Sequence, residues 1–232
     1  MEEAAHRAGR DASTVALVAV TKGFGRDVLQ AALDAGLSLF GENRVQEAEE
    51  KFVGVPPGTE LHLIGHLQRN KARTAAGLFS CVQSIDKVET AAALDQRAAE
   101  RGKVIDVLLE LNTSGEESKS GFLHRDDLLA GLDAIRRLSS VRVRGLMTVG
   151  PLTEDQGRIR TSFAKLRTLF EEVRAGGTLP RFDTLSMGMS GDFETAIEEG
   201  ATMVRIGTAL FGHRGPRSEG TETRGRAGEL SQ

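Results

Sequence analysis

The residues Leu17-Val18-Ala19-Val20-Thr21-Lys22 are a short apolar run that ends in one amine. Lysine is costly to bury and gains little at the mouth of an apolar strand unless something there uses it. A lysine so placed can keep a depressed pKa and form a Schiff base with a carbonyl compound. Taken alone, Lys22 reads as a solvated charge that happens to end a strand. Two stretches far downstream alter that reading. Ser186-Met187-Gly188-Met189-Ser190-Gly191-Asp192 leaves one apolar run and enters a helical stretch, with Ser190 placed to cap it. Arg205-Ile206-Gly207-Thr208 ends another run with a glycine that lets backbone approach a ligand closely. Backbone N–H groups at such turns hold anions, although serine caps and glycine stops also serve as plain turn chemistry.

The elements that must position these residues follow from the pattern of the chain. Eight apolar runs recur, at residues 16–21, 37–40, 61–65, 81–85, 104–111, 141–149, 184–187 and 203–206. Each is short and followed by turn or polar residues, as buried parallel strands are. Between them lie stretches with helical spacing, such as Val28, Leu29, Ala32 and Leu33, or Phe163, Leu166, Leu169, Phe170 and Val173. Further stripes cover 88–98, 128–138 and 193–197, and residues 1–13 read as a short polar helix ending near Gly9. Strands alternating with helices predict a parallel sheet with right-handed crossovers. At this length a single (β/α)8 TIM barrel over residues 1–213 is the simplest closure. A doubly wound open sheet is the alternative, but Thr21-Lys22-Gly23-Phe24-Gly25 lacks its glycine-rich fingerprint.

Ligands of such barrels sit at the C-terminal ends of the strands. The residues expected there are Lys22, Glu42, Asn43, His66, Ser84, Asp86, Asn112, Met147, Thr148, 186–190 and 205–208. The set is polar, with no clustered His and carboxylate ligands, so no metal is expected. An amine facing a phosphate cradle across one barrel mouth suits a phosphorylated aldehyde, and pyridoxal 5′-phosphate (PLP) is the candidate.

Composition narrows the classes further. A net charge of −3 over 232 residues gives no basic field to draw nucleic acid or an anionic membrane. Arg69, Lys71 and Arg73 read as a solvated helix face. No apolar run approaches the roughly 18 residues that span a bilayer. The charged N-terminal residues lack the apolar core of a signal peptide, and the single cysteine, Cys81, rules out an internal disulfide. A cytoplasmic protein fits these features. Residues 214–232 are Gly-, Arg-, Ser- and Glu-rich, and a disordered polar tail is expected there.

Seven stretches together resemble a known family. They are Leu17–Lys22, Phe40–Glu47, His62–Lys71, Ser118–Phe122, Arg144–Thr148, Leu185–Asp192 and Met203–Gly212. In order and content they resemble the YggS/PROSC family of pyridoxal phosphate homeostasis proteins, from about residue 4 to residue 213. The resemblance implies a barrel like the N-terminal domain of alanine racemase, of PLP fold type III, with PLP held as an internal aldimine. It implies Lys22 as the Schiff-base lysine, and Gly207, Thr208, Ser186 and Ser190 at the phosphate. It further implies Arg205 at the pyridine nitrogen and Asn43 and Met147 along the ring. Two departures accompany it. The first helix is shorter than is usual in the family, and Thr21 stands where serine is common.

Racemising an amino acid needs an acid–base group on each face of the α-carbon. Lys22 can serve one face. The resemblance places a tyrosine of the partner subunit on the other face in alanine racemase, and this chain has no tyrosine. Cys81 reads as a small core residue rather than a catalytic thiol. The expectation is a monomeric PLP-binding protein without robust turnover and with no catalytic residues, which buffers PLP or delivers it to PLP-dependent apo-enzymes. A low-activity racemase and a sugar-phosphate barrel without cofactor are the alternatives.

Overall fold

Four parallel residue pairs, from Ala16↔Met203 to Ala19↔Ile206, join the first strand to the last and close the sheet into a barrel. The structure, a computed structural model, describes residues 1–116 and 119–213. The chain enters through helix α1 (Glu2–Arg7) and strand β1 (Ala16–Val20), then α2 (Arg26–Asp34), β2 (Leu39–Glu42), α3 (Val45–Lys51) and β3 (Glu60–Leu63). It continues through α4 (Ala72–Leu78), β4 (Cys81–Ile85), α5 (Val88–Ala99), β5 (Ile105–Glu110), α6 (Arg125–Ile135) and β6 (Val141–Met147). The last third holds α7 (Gln156–Ala175), β7 (Thr184–Ser186), α8 (Phe193–Glu198), β8 (Met203–Ile206) and α9 (Thr208–Phe211). All eight neighbouring pairs are parallel. The predicted (β/α)8 barrel is therefore the fold, and the closing β1–β8 pair excludes the open doubly wound sheet.

Two apolar clusters follow from the alternation of side chains along a strand. On β5, Ile105, Val107 and Leu109 join the large cluster that α2, α5, α6 and α7 cover from outside. Leu108, of opposite parity, joins Cys81 and Met147 in a small separate one. The same small-cluster parity carries His62, Gln83, Ser186 and Arg205, all buried. Polar side chains thus occupy part of the barrel's interior, and buried polar groups must find partners. How they do so shapes the site.

Helix α7 shows the sequence logic of the outer layer. Ile159, Phe163, Leu166, Leu169, Phe170 and Val173 form its buried stripe, and the Asp155 carboxylate caps its start by accepting from Gly157 and Arg158 N–H. The sequence gives no sign of α3, and of α4 it shows only the solvated face that ends at Arg73. Their buried faces are Val45, Ala48 and Lys51 in one and Ala72, Ala75 and Ala76 in the other. Alanines and a lysine make no visible apolar stripe. Among the described residues no helix is long and apolar enough to cross a membrane. Ser118 of the quoted motif and the tail expected at residues 214–232 lie outside the described residues.

Candidate functional site

The C-terminal mouth of the barrel contains a cavity of about 460 Å³. One wall is Val20, Lys22 and Phe24, continuous with β1; Asn43 and Ile64 follow β2 and β3. The adjoining wall is Met189, Ser190 and Gly191 after β7, with Gly207 and Thr208 after β8, the strand paired with β1, so these residues stand beside Lys22 rather than across the mouth; Val149 and Arg205 complete the lining. Its size lies within the range of small-molecule sites.

Lys22 occupies a tight turn. The Phe24 N–H donates to the Thr21 carbonyl at 3.1 Å, and Gly23 adopts φ +73°. A turn with positive φ at its third residue favours glycine there, since a side chain would strain the backbone. Lys22 is half-buried and lines the cavity. After the neighbouring strand β8, the N–H groups of Gly207 and Ala209 converge on one oxygen, Ser190 Oγ, each at 3.2 Å. Amides of one turn aimed at a single point form a concavity suited to an oxygen acceptor. Ser190 was expected to cap α8. Instead it binds the turn that opens α9, and Asp192 Oδ1 accepts from Met189 N–H at the entry to α8.

Arg205 carries the fixed charge of the cavity. Its Nη1 donates to Ser186 Oγ at 2.6 Å and its Nη2 to the Thr148 carbonyl at 2.7 Å. Burial lowers its pKa to about 10, against the attraction of Glu110 and Asp192, so it stays charged at neutral pH. Ser186 Oγ donates onward to Gln83 Oε1 at 2.7 Å, and Gln83 Nε2 lies 2.9 Å from His62 Nδ1. Burial pushes the His62 pKa down to about 4, so the ring is neutral. A neutral ring whose Nδ1 accepts orients the Gln83 amide, which orients the Ser186 hydroxyl, which leaves its lone pair toward Arg205. The relay runs through the barrel and ends on the guanidinium.

The cavity therefore brings together six of the sequence-derived residues: Lys22, Asn43, Ser190, Arg205, Gly207 and Thr208. Met147 and Ser186 do not line it. Met147 is fully buried against Cys81 and Leu108, with Val149 two residues on taking the place at the mouth. Ser186 is fully buried, and its hydroxyl is engaged by Gln83 and Arg205. Of the other strand-end residues, Ser84 donates to the Gly65 carbonyl and Asn112 organises its own loop. His66 faces a neighbouring polar cavity of about 710 Å³ that shares Asn43 but not Lys22. Gly65 lets the chain pass that boundary, since a Cβ there would meet the Asn43 carbonyl oxygen at 2.3 Å.

Sequence reasoning missed Glu110, at the end of β5. Its carboxyl is buried, and burial raises its pKa to about 7 despite the attraction of Arg205. A carboxylate inside an otherwise apolar run, of the same parity as Asp106, was the available signal. His62 and Gln83 were missed for the same reason, as polar residues in runs read as apolar.

The sequence matches the family described as "Alanine racemase, N-terminal domain" over residues 2–215. The Pyridoxal phosphate homeostasis protein of Pseudomonas aeruginosa is 42% identical over 217 residues, 92% of this chain and 91% of that protein. The protein of the same name from Escherichia coli is 41% identical over 227 residues, 91% of each. Among solved structures, PipY of Synechococcus elongatus with PLP bound superimposes with a TM-score of 0.79 at 36% identity, covering 91% of this chain and 99% of PipY. Alanine racemase of Clostridium difficile shares the fold, with a TM-score of 0.74 at 13% identity, over 91% of this chain and 55% of the racemase. The chain belongs to the family of pyridoxal phosphate homeostasis proteins, built on the alanine racemase N-terminal fold.

Proposed function

We propose that this protein binds PLP in the 460 Å³ cavity and holds it for PLP-dependent apo-enzymes rather than turning over a substrate of its own. The observation that carries this reading is that Lys22, Arg205, Ser190, Gly207 and Thr208 line one cavity. The donor set fits the cofactor. The Ser190 and Thr208 hydroxyls supply neutral donors for a phosphate, and the Gly207 and Ala209 amides hold Ser190 Oγ in place for it. Lys22 supplies the primary amine, and Asn43 and Ile64 stand beside it for a ring. When bound, PLP supplies an aldehyde that bonds an amine and a ring that withdraws electrons. Arg205, pinned by two hydrogen bonds, holds a positive charge that opposes protonation of a base beside it.

The lining residues also support the carrier reading. Among them stands no His, Cys, Tyr, Asp or Glu to serve as a second acid–base group. The purified protein is expected to absorb at about 420 nm, and borohydride is expected to fix PLP on the peptide carrying Lys22. Lys22→Ala is expected to abolish both signals while leaving the fold intact. An adduct on Lys119, which is bound to Glu116 and to the Gly150 carbonyl, would overturn the assignment. L-alanine in deuterium oxide is expected to keep its α-proton, and rapid exchange would favour a racemase. Mixing with a PLP-dependent apo-enzyme is expected to restore that enzyme's activity, and a monomer is expected on size exclusion.

A further inference from the structure

Helix α3 brings Lys51 back under the turn that carries Lys22. The Lys51 side chain is buried, with three acceptors on its ammonium group. These are the Thr21 carbonyl at 2.7 Å, Glu42 Oε1 at 2.7 Å and Glu47 Oε1 at 2.9 Å. Burying an ammonium is costly unless its donors are satisfied, and here all three are. Glu42 Oε1 also accepts from Thr21 Oγ1 at 2.6 Å, while Glu47 Oε1 accepts from the Gly23 N–H at 2.5 Å.

Anchoring α3 to the barrel would need one carboxylate and one ammonium. The cluster does more than that. It reaches the carbonyl and hydroxyl of the residue before Lys22 and the amide of the residue after it. Both peptide neighbours of the amine-bearing residue are held from the same side. Glu42, fully buried, keeps a second carboxylate oxygen without a partner among the described residues.

We propose that Lys51, Glu42 and Glu47 are positioning residues that fix the Thr21–Gly23 turn so that the Lys22 amine meets an aldehyde already seated in the cavity. The proposal rests on the function proposed above. Glu47 is the point of test because its side chain is 28% exposed, so its loss leaves the fold standing. Glu47→Ala removes the acceptor for the Gly23 amide and one partner of Lys51. Glu47→Gln retains an oxygen at that place.

Two measurements separate positioning from mere support. The first is the rate at which the 420 nm band (about that wavelength) appears on mixing the PLP-depleted protein with PLP. The second is the affinity for pyridoxine 5′-phosphate, which offers the ring and phosphate but no aldehyde. Glu47→Ala is expected to slow bond formation about tenfold or more, because small misplacements of a reacting group carry penalties of that order. It is expected to leave pyridoxine 5′-phosphate affinity unchanged, and Glu47→Gln to restore the rate. A wild-type rate in Glu47→Ala, or equal losses in both measurements, overturns the positioning role. If borohydride fixes PLP on another lysine in the unaltered protein, the functional reading falls first and this proposal with it.

Discussion

Ser186 shows how one hydroxyl can serve a site without facing it. It sits between a donor, Arg205 Nη1, and an acceptor, Gln83 Oε1, at 2.6 and 2.7 Å. Ser186→Ala leaves both of those groups buried with one partner fewer. We expect a loss of about 2 kcal/mol in urea unfolding, the scale of a buried polar group left unsatisfied. If Ser186 bound the phosphate directly, the loss would appear chiefly as weaker PLP binding with little change in stability. Lys22 and Arg205 were legible in the sequence because a charge that ends an apolar run must be used or solvated. Met147 and Ser186 lie deeper than the cavity lining for a geometric reason. Strand residues two apart share a face but stand roughly 7 Å apart along the strand. Alternation along a strand fixes the face and not the depth, and Val149, packed on the Met147 cluster, is the residue that reaches the cavity.

At the scale of elements, the sequence showed the strands, since β-branched and apolar runs bounded by turns leave few alternatives. It did not show α3, and of α4 it showed the solvated face at Arg73 but not the alanine face beneath; with α3 unseen the Lys51–Glu47 spacing of one helical turn had no meaning. The short first helix illustrates how an edge element is fastened. Ala4 and Ala5 are buried, and Arg7 pairs with Glu194 and Glu198 on α8. Arg10 goes further, donating through Nη1 to the carbonyls of Ile197 and Ala201 at 2.8 Å each. Ile197 lies in the last turn of α8 and Ala201 in the turn that leads to β8, so one guanidinium ties the helix end to the segment that follows it. Arg10→Met keeps the aliphatic stem and removes both bonds, and we expect a loss of about 2 kcal/mol in urea unfolding. Arg7→Ala removes only solvent-screened pairs and is expected to leave the unfolding midpoint nearly unchanged. Equal losses from the two would refute this ranking.

Across the whole molecule, two buried groups tie stability to pH in opposite senses. Burial lowers the His62 pKa from 6.5 to about 4. The unfolded chain then binds more protons between those values, so this group makes stability rise with pH across that window and fall as acid protonates the ring. Burial raises the Glu110 pKa from 4.5 to about 7. Here the folded chain binds more protons, so its contribution is complete below 4.5 and is lost as pH rises through 7. The two windows overlap, and the slopes oppose each other. Glu110→Gln keeps the shape of the side chain and removes only the second slope. At pH 4 the variant and the unaltered protein are expected to unfold at the same urea concentration. By pH 8 the variant is expected to be more stable by about 3 kcal/mol, the free energy of a shift of this size. Its stability is also expected to climb across the His62 window, where the unaltered protein stays nearly flat. Parallel pH profiles for the two proteins would mean that Glu110 is ionised without cost beside Arg205, and the barrel interior would then be far better solvated than its burial implies.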